Sequence, residues 1–470
     1  MALSTFYTAR GSSLFKLVVC TVLAFFLLNV YFQPFPNLHL APNLVHSDTK
    51  EPSRPTEASQ SQIIEPQASR CQDIPGAEDV VVIMKTGSTE IQDKLPVHFT
   101  TTLTCYQRYL VFSDYGEEFH GVYVRDALDQ VSEGIRNDNS DFELYRRLQS
   151  EGRGALAQSE LSGPLSGEGG KSGKTDNPGW RLDKWKFLPM VNKTLAAYPD
   201  AKWYVFVETD TYLVWSNLLQ WLAALDHTKP SYLGAQMQIG DVIFAHGGSG
   251  FIVSKPAMEM VTAEYAAHVS EWEAFTGGHW AGDCVLGKAF ADANVSLTWS
   301  WPLSQGRKPS DLNYTRIDWD KRIWCSPAVF YHHLSADEVA SMWNAEQNWT
   351  LNAELISRQN RPFLRHQDVF QSYVMPQLGS ERSGWDNMLG KIDREVTVES
   401  LEACREACRN EQGCVQYRLA MGKCALSSNV MLGEASPAGE RMQSGWLVDR
   451  VADFMKGIEP CGEVLQPWIT

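Results

Sequence analysis

"WYVFVETDTYLVW" (residues 203–215) sets an unbroken apolar run against two carboxylates one residue apart, and then turns apolar again. Trp203 to Val207 are aromatic or β-branched throughout, the pattern of a strand covered on both faces, as in a mostly parallel sheet. Glu208 and Asp210 then fall just past its C-terminal end. Ser216 is placed to cap a helix, and Leu218, Leu219, Leu222 and Leu225 recur behind it at helical spacing. The unit reads strand, acidic turn, helix. In open α/β sheets ligands bind at the carboxyl ends of the strands, and two close carboxylates there suit a hard divalent cation that holds a diphosphate. On this stretch alone, acids that cap the next helix or solvate a turn explain the same residues equally well.

Two further runs have the same character. "VVVIMKT" (80–86) and "RYLVFSD" (108–114) are strand-like and end in polar turns, and helical segments separate the later strands, so the region reads as α/β with a parallel sheet. Residues 150–179 are dominated by Gly, Ser and charge and cannot bury a core, which predicts a mobile surface insertion. After about residue 390 the composition changes. Cys404, Cys408, Cys414 and Cys424 crowd into a short stretch, with Cys404 and Cys408 on one helix face. No CxxC pair or partner histidine supports zinc, so the stretch predicts a small disulfide-stapled unit able to fold alone.

The 470-residue chain carries 41 Lys+Arg against 56 Asp+Glu, a net charge of −15, which argues against nucleic acid as a partner. Residues 14–32 are apolar apart from Lys16 and Asn29, with Arg10 and Lys16 on the N-terminal side. That fits a spanning helix of ~17–25 residues with a cytosolic tail at 1–13. A cleaved signal peptide competes, but the run exceeds the ~7–15 residues of a signal h-region and no small-residue cleavage site closes it. Residues 33–70, rich in Pro, Ser and polar side chains, read as a disordered stem. Nine of the ten cysteines follow the anchor, and glycosylation sequons stand at Asn192, Asn294, Asn313 and Asn348. The expectation is a single-pass type II protein of the Golgi or ER membrane with its bulk in the lumen.

Three stretches join the acidic turn. "HGGSGFIVSKPAM" (246–258) places Gly247, Gly248 and Gly250 around Ser249, ahead of a strand-like run, where the backbone can approach a ligand closely. "WAGDCVLGKAFADANVSL" (280–297) puts Asp283 at a helix start, where an N-cap role is the ordinary explanation. "VFYHHLSADEV" (329–339) ends a strand-like run on His332 and His333, either of which suits a metal ligand or a surface histidine.

In this order and spacing the four stretches resemble glycosyltransferase family 31, which includes the core 1 β-1,3-galactosyltransferases and the Fringe N-acetylglucosaminyltransferases. The resemblance covers roughly residues 71 to 340 and implies a GT-A fold over 71–390. It also implies a Mn²⁺ or other divalent-cation site at Glu208, Asp210, His332 and His333, on the diphosphate of a UDP-sugar. Thr86, Asp114, Lys184, Glu208 and Asp210 would contact the nucleotide side. Tyr212, Gly247, Gly248, Ser249, Gly250 and Trp280 would line the substrate pocket, and Asp283 would be the catalytic base. Cys71 and Cys105 look like the family's N-terminal disulfide, and Cys284 and Cys325 are counted among its bridging cysteines. Residues 391–461 are similar to a PAN/apple domain of α+β type, a pattern that pairs Cys404 with Cys424 and Cys408 with Cys414, leaves Cys461 open, and implies a protein or carbohydrate ligand. Two positions depart from the family: Glu208 and Thr209 stand where the core 1 enzymes have Asp, and Gly282 replaces the acid that usually precedes the base.

The implied activity is metal-dependent inverting transfer of a hexose or N-acetylhexosamine to a glycan or glycoprotein hydroxyl, in the manner of a β-1,3-glycosyltransferase. A catalytically degenerate relative that binds through its PAN-like unit is the alternative. A hydrolase using Glu208 and Asp210 as its acid/base pair is disfavoured, since two carboxylates on one turn cannot flank a bond from opposite sides.

Overall fold

In the computed structural model, residues 71–162, 177–356, 362–379, 381–390, 392–437, 439–462 and 468 are described. The anchor at 14–32, the stem and residues 163–176 of the insertion lie outside them. Among the described residues no helix is long and apolar enough to cross a membrane.

Eleven strands build the first part of the chain: β1 (Val80–Lys85), β2 (Tyr109–Ser113), β3 (Glu117–Phe119), β4 (Val122–Asp126), β5 (Trp203–Glu208), β6 (Tyr212–Leu213), β7 (Tyr232–Gly234), β8 (Gln236–Ile239), β9 (Val242–Ala245), β10 (Phe251–Ser254) and β11 (Leu297–Trp299). Eight of them form one sheet in the order β11-β7-β10-β5-β1-β2-β4-β3. The centre, β5-β1-β2-β4, is parallel, while β10 runs antiparallel between β5 and β7. Such a sheet is compatible with a GT-A fold. Alternate residues explain why its strands are apolar without a break. Val80, Val82 and Met84 of β1, with Trp203, Val205 and Val207 of β5, enter one core, and Val81, Ile83, Tyr204 and Phe206 enter another on the opposite face.

Helices close both faces. One turn after β1 comes α1 (Ile91–Lys94), the long α2 (Pro178–Ala197) follows the insertion, α3 (Trp215–Ala223) follows the acidic turn, and α4 (Gly282–Asp292) carries Asp283. Two capping expectations change. Ser216 lies inside the first turn of α3, whose N-cap position is Val214, and α4 begins after Ala281, so Asp283 is not an N-cap. The insertion also proves shorter than its composition suggested. Asn177 caps α2 by accepting the Gly179 N–H at 2.8 Å, and Ser162 is held by a 2.8 Å bond from its N–H to the Thr89 carbonyl.

Downstream, a five-stranded antiparallel sheet combines Arg382–Ser383, Met442–Trp446, Gln416–Ala420, Lys423–Ser427 and Arg394–Thr397, in that spatial order. The composition break near residue 390 thus falls inside this sheet. Helix α5 (Leu401–Asn410), capped by Ser400, is stapled by Cys404–Cys424 and Cys408–Cys414. Cys71–Cys105 is present as expected. The remaining pairing differs: Cys325 bonds Cys461, and Cys284 is a buried free thiol on α4. The C-terminal unit also packs on the rest of the chain. Val415, Leu432, Trp446 and Val451 share one apolar cluster with Tyr212, Val214 and Tyr331 of the acidic-turn region. The described residues, from Cys71 onward, belong to one compact unit.

Of the sequons, Asn294 sits at a left-handed turn position (φ 60°) after α4 and Asn348 on an exposed helical face. Asn313 accepts the Thr315 hydroxyl at 2.7 Å within a turn. Asn192 is different, lying within α2 with its amide donating to Gln130 at 2.9 Å and its sequon hydroxyl Thr194 buried.

Candidate active site

The cleft opens where β1 and β5 end side by side, in register from Val80↔Trp203 to Lys85↔Glu208. Past β5 the backbone turns at once, the Thr211 N–H donating to the Glu208 carbonyl at 3.0 Å. Next, β6 pairs antiparallel with the short strand Phe330–Tyr331, Tyr331 opposite Tyr212. This pairing brings the histidines home: the chain beyond Tyr331 runs back along the acidic turn, and the Leu334 N–H donates to the Asp210 carbonyl at 3.0 Å. Asp210, His332 and His333 can then offer ligand atoms that all lie within 4.8 Å of one another.

Gly248 makes room for this cluster. A Cβ there would fall 2.1 Å from Cε1 of His332, so any side chain would expel the imidazole. The loop is held to the turn by the Thr211 hydroxyl, which donates to the Gly248 carbonyl at 2.6 Å.

The charges around the turn are sorted into separate pairs. Lys85, at the end of β1, lies 2.5 Å from Asp183 of α2 and 3.0 Å from Glu208. Burial works against its ammonium, but the two carboxylates more than offset this and push it above the usual lysine range. Asp210 lies 3.0 Å from Lys94 through Oδ2 and 3.3 Å from His332 Nε2 through Oδ1. Burial alone would raise Asp210, yet Lys94 and His332 hold it well below the carboxylate range. Glu208 therefore faces Lys85, and the cluster suited to a cation is Asp210, His332 and His333.

The donor set fits such a cation. Asp210 Oδ1 and His332 Nδ1 are buried polar atoms without a hydrogen-bond partner, which is costly unless something else satisfies them. Desolvation and neighbouring His332 lower His333 to about 4, so its imidazole is neutral near pH 7 and able to ligate; the same causes lower His246, which lies outside the cluster.

Asp283 lines the same cleft from α4. Its Oδ2 accepts the Gly247 N–H and its Oδ1 the Cys284 N–H, each at 2.9 Å. Burial raises its pKa, and those amides only partly counter the rise. Gly282, the departure from the family pattern, has a steric cause. A Cβ there would stand 2.5 Å from the Phe187 ring and 2.6 Å from the Lys184 Cα, so the close crossing of α4 over α2 leaves no space for an acid.

Trp280 also lines the cleft, 62% exposed, its ring stacked near-parallel to Trp180 (14° between planes, centroids 6.5 Å apart). Other expected contacts lie behind the cleft wall. Tyr212 is buried, its hydroxyl donating to Glu346 at 2.5 Å. Burial pushes Glu346 up to about 7. Gly250, in the left-handed region (φ 72°), packs on Phe330, and the Ser249 hydroxyl bonds His246 at 2.8 Å. Asp114 is fully buried and shapes the loop after β1, its Oδ1 accepting the Ser88 N–H at 2.6 Å while its Oδ2 has no hydrogen-bond partner. Thr86 is buried against Thr209 in the same way. Lys184 turns out of the cleft to Asp141 at 2.9 Å. One turn of α2 instead presents Asp183 and Lys186, and Lys186 donates to the Thr86 carbonyl at 2.8 Å. Lys85, Lys94, Asp183, Lys186 and His246 were not foreseen as site residues. The one available signal was a lysine closing the apolar run of β1.

Residues 184–304 match the family model described as Fringe-like. The matched segment holds the acidic turn, Gly247 to Gly250 and Asp283, and ends before His332, His333 and the C-terminal sheet. This likeness supports a glycosyltransferase at that coarse level, and with it a nucleotide-sugar donor, a glycan acceptor and a divalent cation.

Proposed function

We propose that this chain is an inverting, divalent-cation-dependent glycosyltransferase that moves a hexose or N-acetylhexosamine from a UDP-sugar to a hydroxyl of a glycan or glycoprotein. The observation that carries the reading is the sharing of one cleft by two carboxylates of opposite character: Asp210 among cations and imidazoles, and Asp283 held by backbone amides. Asp210, His332 and His333 would hold Mn²⁺. When bound, the cation supplies Lewis-acid stabilisation of the leaving diphosphate, a contribution of several kcal/mol.

The remaining work falls to the chain itself. Asp283, deprotonated and anchored at both oxygens by N–H donors, accepts the proton of the acceptor hydroxyl as that oxygen attacks the anomeric carbon from the face opposite the departing UDP. General-base assistance of this kind is typically worth ~10²–10⁴-fold. Trp280 and Trp180 offer flat apolar surface at the mouth, suited to the C–H face of a pyranose. Lys186 and Lys85 supply positive charge at the end of β1 where a nucleotide phosphate would lie. The anchor at 14–32 and the sequons support a type II protein acting in the Golgi or ER lumen, and the C-terminal unit is proposed as a PAN/apple-like module that contacts protein or carbohydrate.

The test is a panel of UDP-sugars assayed for binding, hydrolysis and transfer with and without Mn²⁺. Mn²⁺-dependent UDP release from one of them is expected. Binding without turnover across the panel would select the degenerate, ligand-binding alternative, and absence of nucleotide binding would remove the reading.

A further inference from the structure

Lys94 occupies an unusual place for a lysine. It ends α1, one turn beyond the loop after β1, and its side chain is only 12% exposed. Its ammonium is shared between two carboxylates, Asp210 Oδ2 at 3.0 Å and Glu90 Oε2 at 2.9 Å. All three residues line the cleft. Asp210 is thus divided, one oxygen given to Lys94 and the other, buried and without a hydrogen bond, lying 3.3 Å from His332 Nε2. A divalent cation entering among Asp210, His332 and His333 meets a fixed positive charge on the far oxygen of its own carboxylate, and both Asp210 and Lys94 are buried enough that solvent screens the repulsion less than at the surface. Glu90, four residues back at the N-cap position of α1, is a second seat to which the ammonium can retreat while staying paired.

We infer that Lys94 is the resident counter-cation of this site, a positioning residue that makes binding of the divalent cation and of the nucleoside diphosphate mutually dependent. Without a diphosphate, Lys94 neutralises Asp210 and opposes the metal. With it, the added negative charge accommodates both cations, and Lys94 moves its charge toward Glu90 and the phosphates. Because linkage is reciprocal, the factor by which UDP tightens Mn²⁺ equals the factor by which Mn²⁺ tightens UDP. This inference rests on the cation reading of Asp210 proposed above.

The experiment measures Mn²⁺ affinity by calorimetry or by the electron paramagnetic resonance signal of free Mn²⁺, with and without UDP, on the intact protein. Lys94→Met should bind Mn²⁺ alone about tenfold more tightly than the wild type, and its UDP coupling factor should fall by a similar amount, within the ~5–150-fold range typical of coupled sites. Lys94→Arg should keep the coupling. If Lys94→Met fails to fold, Glu90→Gln serves: with its second seat removed, Lys94 stays on Asp210 and Mn²⁺ alone should bind more weakly. Mn²⁺ affinity and coupling within twofold of wild type in the folded Lys94 variant, or in Glu90→Gln, would overturn the inference. The two failures separate cleanly. Mn²⁺ binding that Asp210→Ala abolishes but neither variant alters sinks only the role of Lys94, whereas a wild type that never binds Mn²⁺, even with UDP, removes the cation reading along with it.

Discussion

The cleft holds one carboxylate past the end of β5 and another at the N-terminal end of α4, and the fold treats them in opposite ways. At one end Asp210 is 6% exposed and faces Lys94 and His332, which keep it ionised far below the ordinary range. At the other, Asp283 is held by two backbone N–H groups and no ammonium, and burial raises it. Charge pairing makes a permanently ionised group, good for holding a cation and poor for taking a proton. Amide anchoring in a desolvated site fixes the carboxylate's aim while leaving it basic. The division of labour proposed for these two carboxylates would therefore come from their neighbours, since the side chains are identical.

The largest effect should come from breaking the first end. Asp210→Ala strands Lys94 and His332, and removal of one partner from a buried pair typically costs about 3–5 kcal/mol. Mn²⁺-dependent UDP binding should disappear, as measured by calorimetry, together with a drop in melting temperature. Retained Mn²⁺ and UDP affinity in that variant would erase the distinction between the two ends.

At the second end, Asp283→Asn should lower kcat by about 10²-fold or more while UDP binding persists. The amide also sets an NH₂ group against one of the two N–H donors, at a cost of about 1–3 kcal/mol, so binding and turnover must be measured on protein shown to be folded. Near-wild-type turnover would move the base elsewhere in the cleft, where Glu90, Asp183 and Glu208 are the lining carboxylates besides Asp210.

The pH dependence sharpens the contrast further. Asp283 must be ionised to act, and its folded pKa is raised, so kcat/KM should fall about tenfold per pH unit below a midpoint that lies above the normal carboxylate value of ~3.9. For stability the signs are opposed. The raised Asp283 binds its proton more tightly in the folded state, so its contribution improves as pH falls through that range. Asp210, depressed, contributes stability above its unfolded value that is lost only as pH falls toward its folded one. An acid limb that survives in Asp283→Asn would assign it to another group.

The smallest effect concerns the spacing between the ends. Gly282→Ala forces a Cβ against Phe187 and the Lys184 backbone, an overpacking cost of about 1–3 kcal/mol, read as a lower melting temperature with the Mn²⁺ affinity of the Asp210 end unchanged. A variant as stable as wild type would show that α4 and α2 can part, and that the absent acid at 282 has some other cause.

How far these ends were legible beforehand differs by element. The strands 80–85, 109–113 and 203–208 were apparent because burial on both faces leaves an uninterrupted apolar run, and the acids followed at the expected carboxyl end. Cys71–Cys105 and the two bridges of the C-terminal unit followed from the resemblance. Cys325–Cys461 did not, since its halves stand 136 residues apart with no shared motif. Likewise Thr86, Asp114 and Lys184 sit at the right places along the chain but point into the core or away from the cleft.

The sequence by itself determined the sheet, the acidic turn at its edge and the order of the motifs, because side-chain periodicity and turn chemistry act within windows of a few residues. The resemblance carried by the motifs already pointed to Asp210 as ligand and Asp283 as base, and only the tertiary structure decided which neighbours each carboxylate has. Those neighbours are distant in the chain, Lys94 meeting Asp210 across 116 residues and Gly247 meeting Asp283 across 36, and charge pairing is set by separation in space.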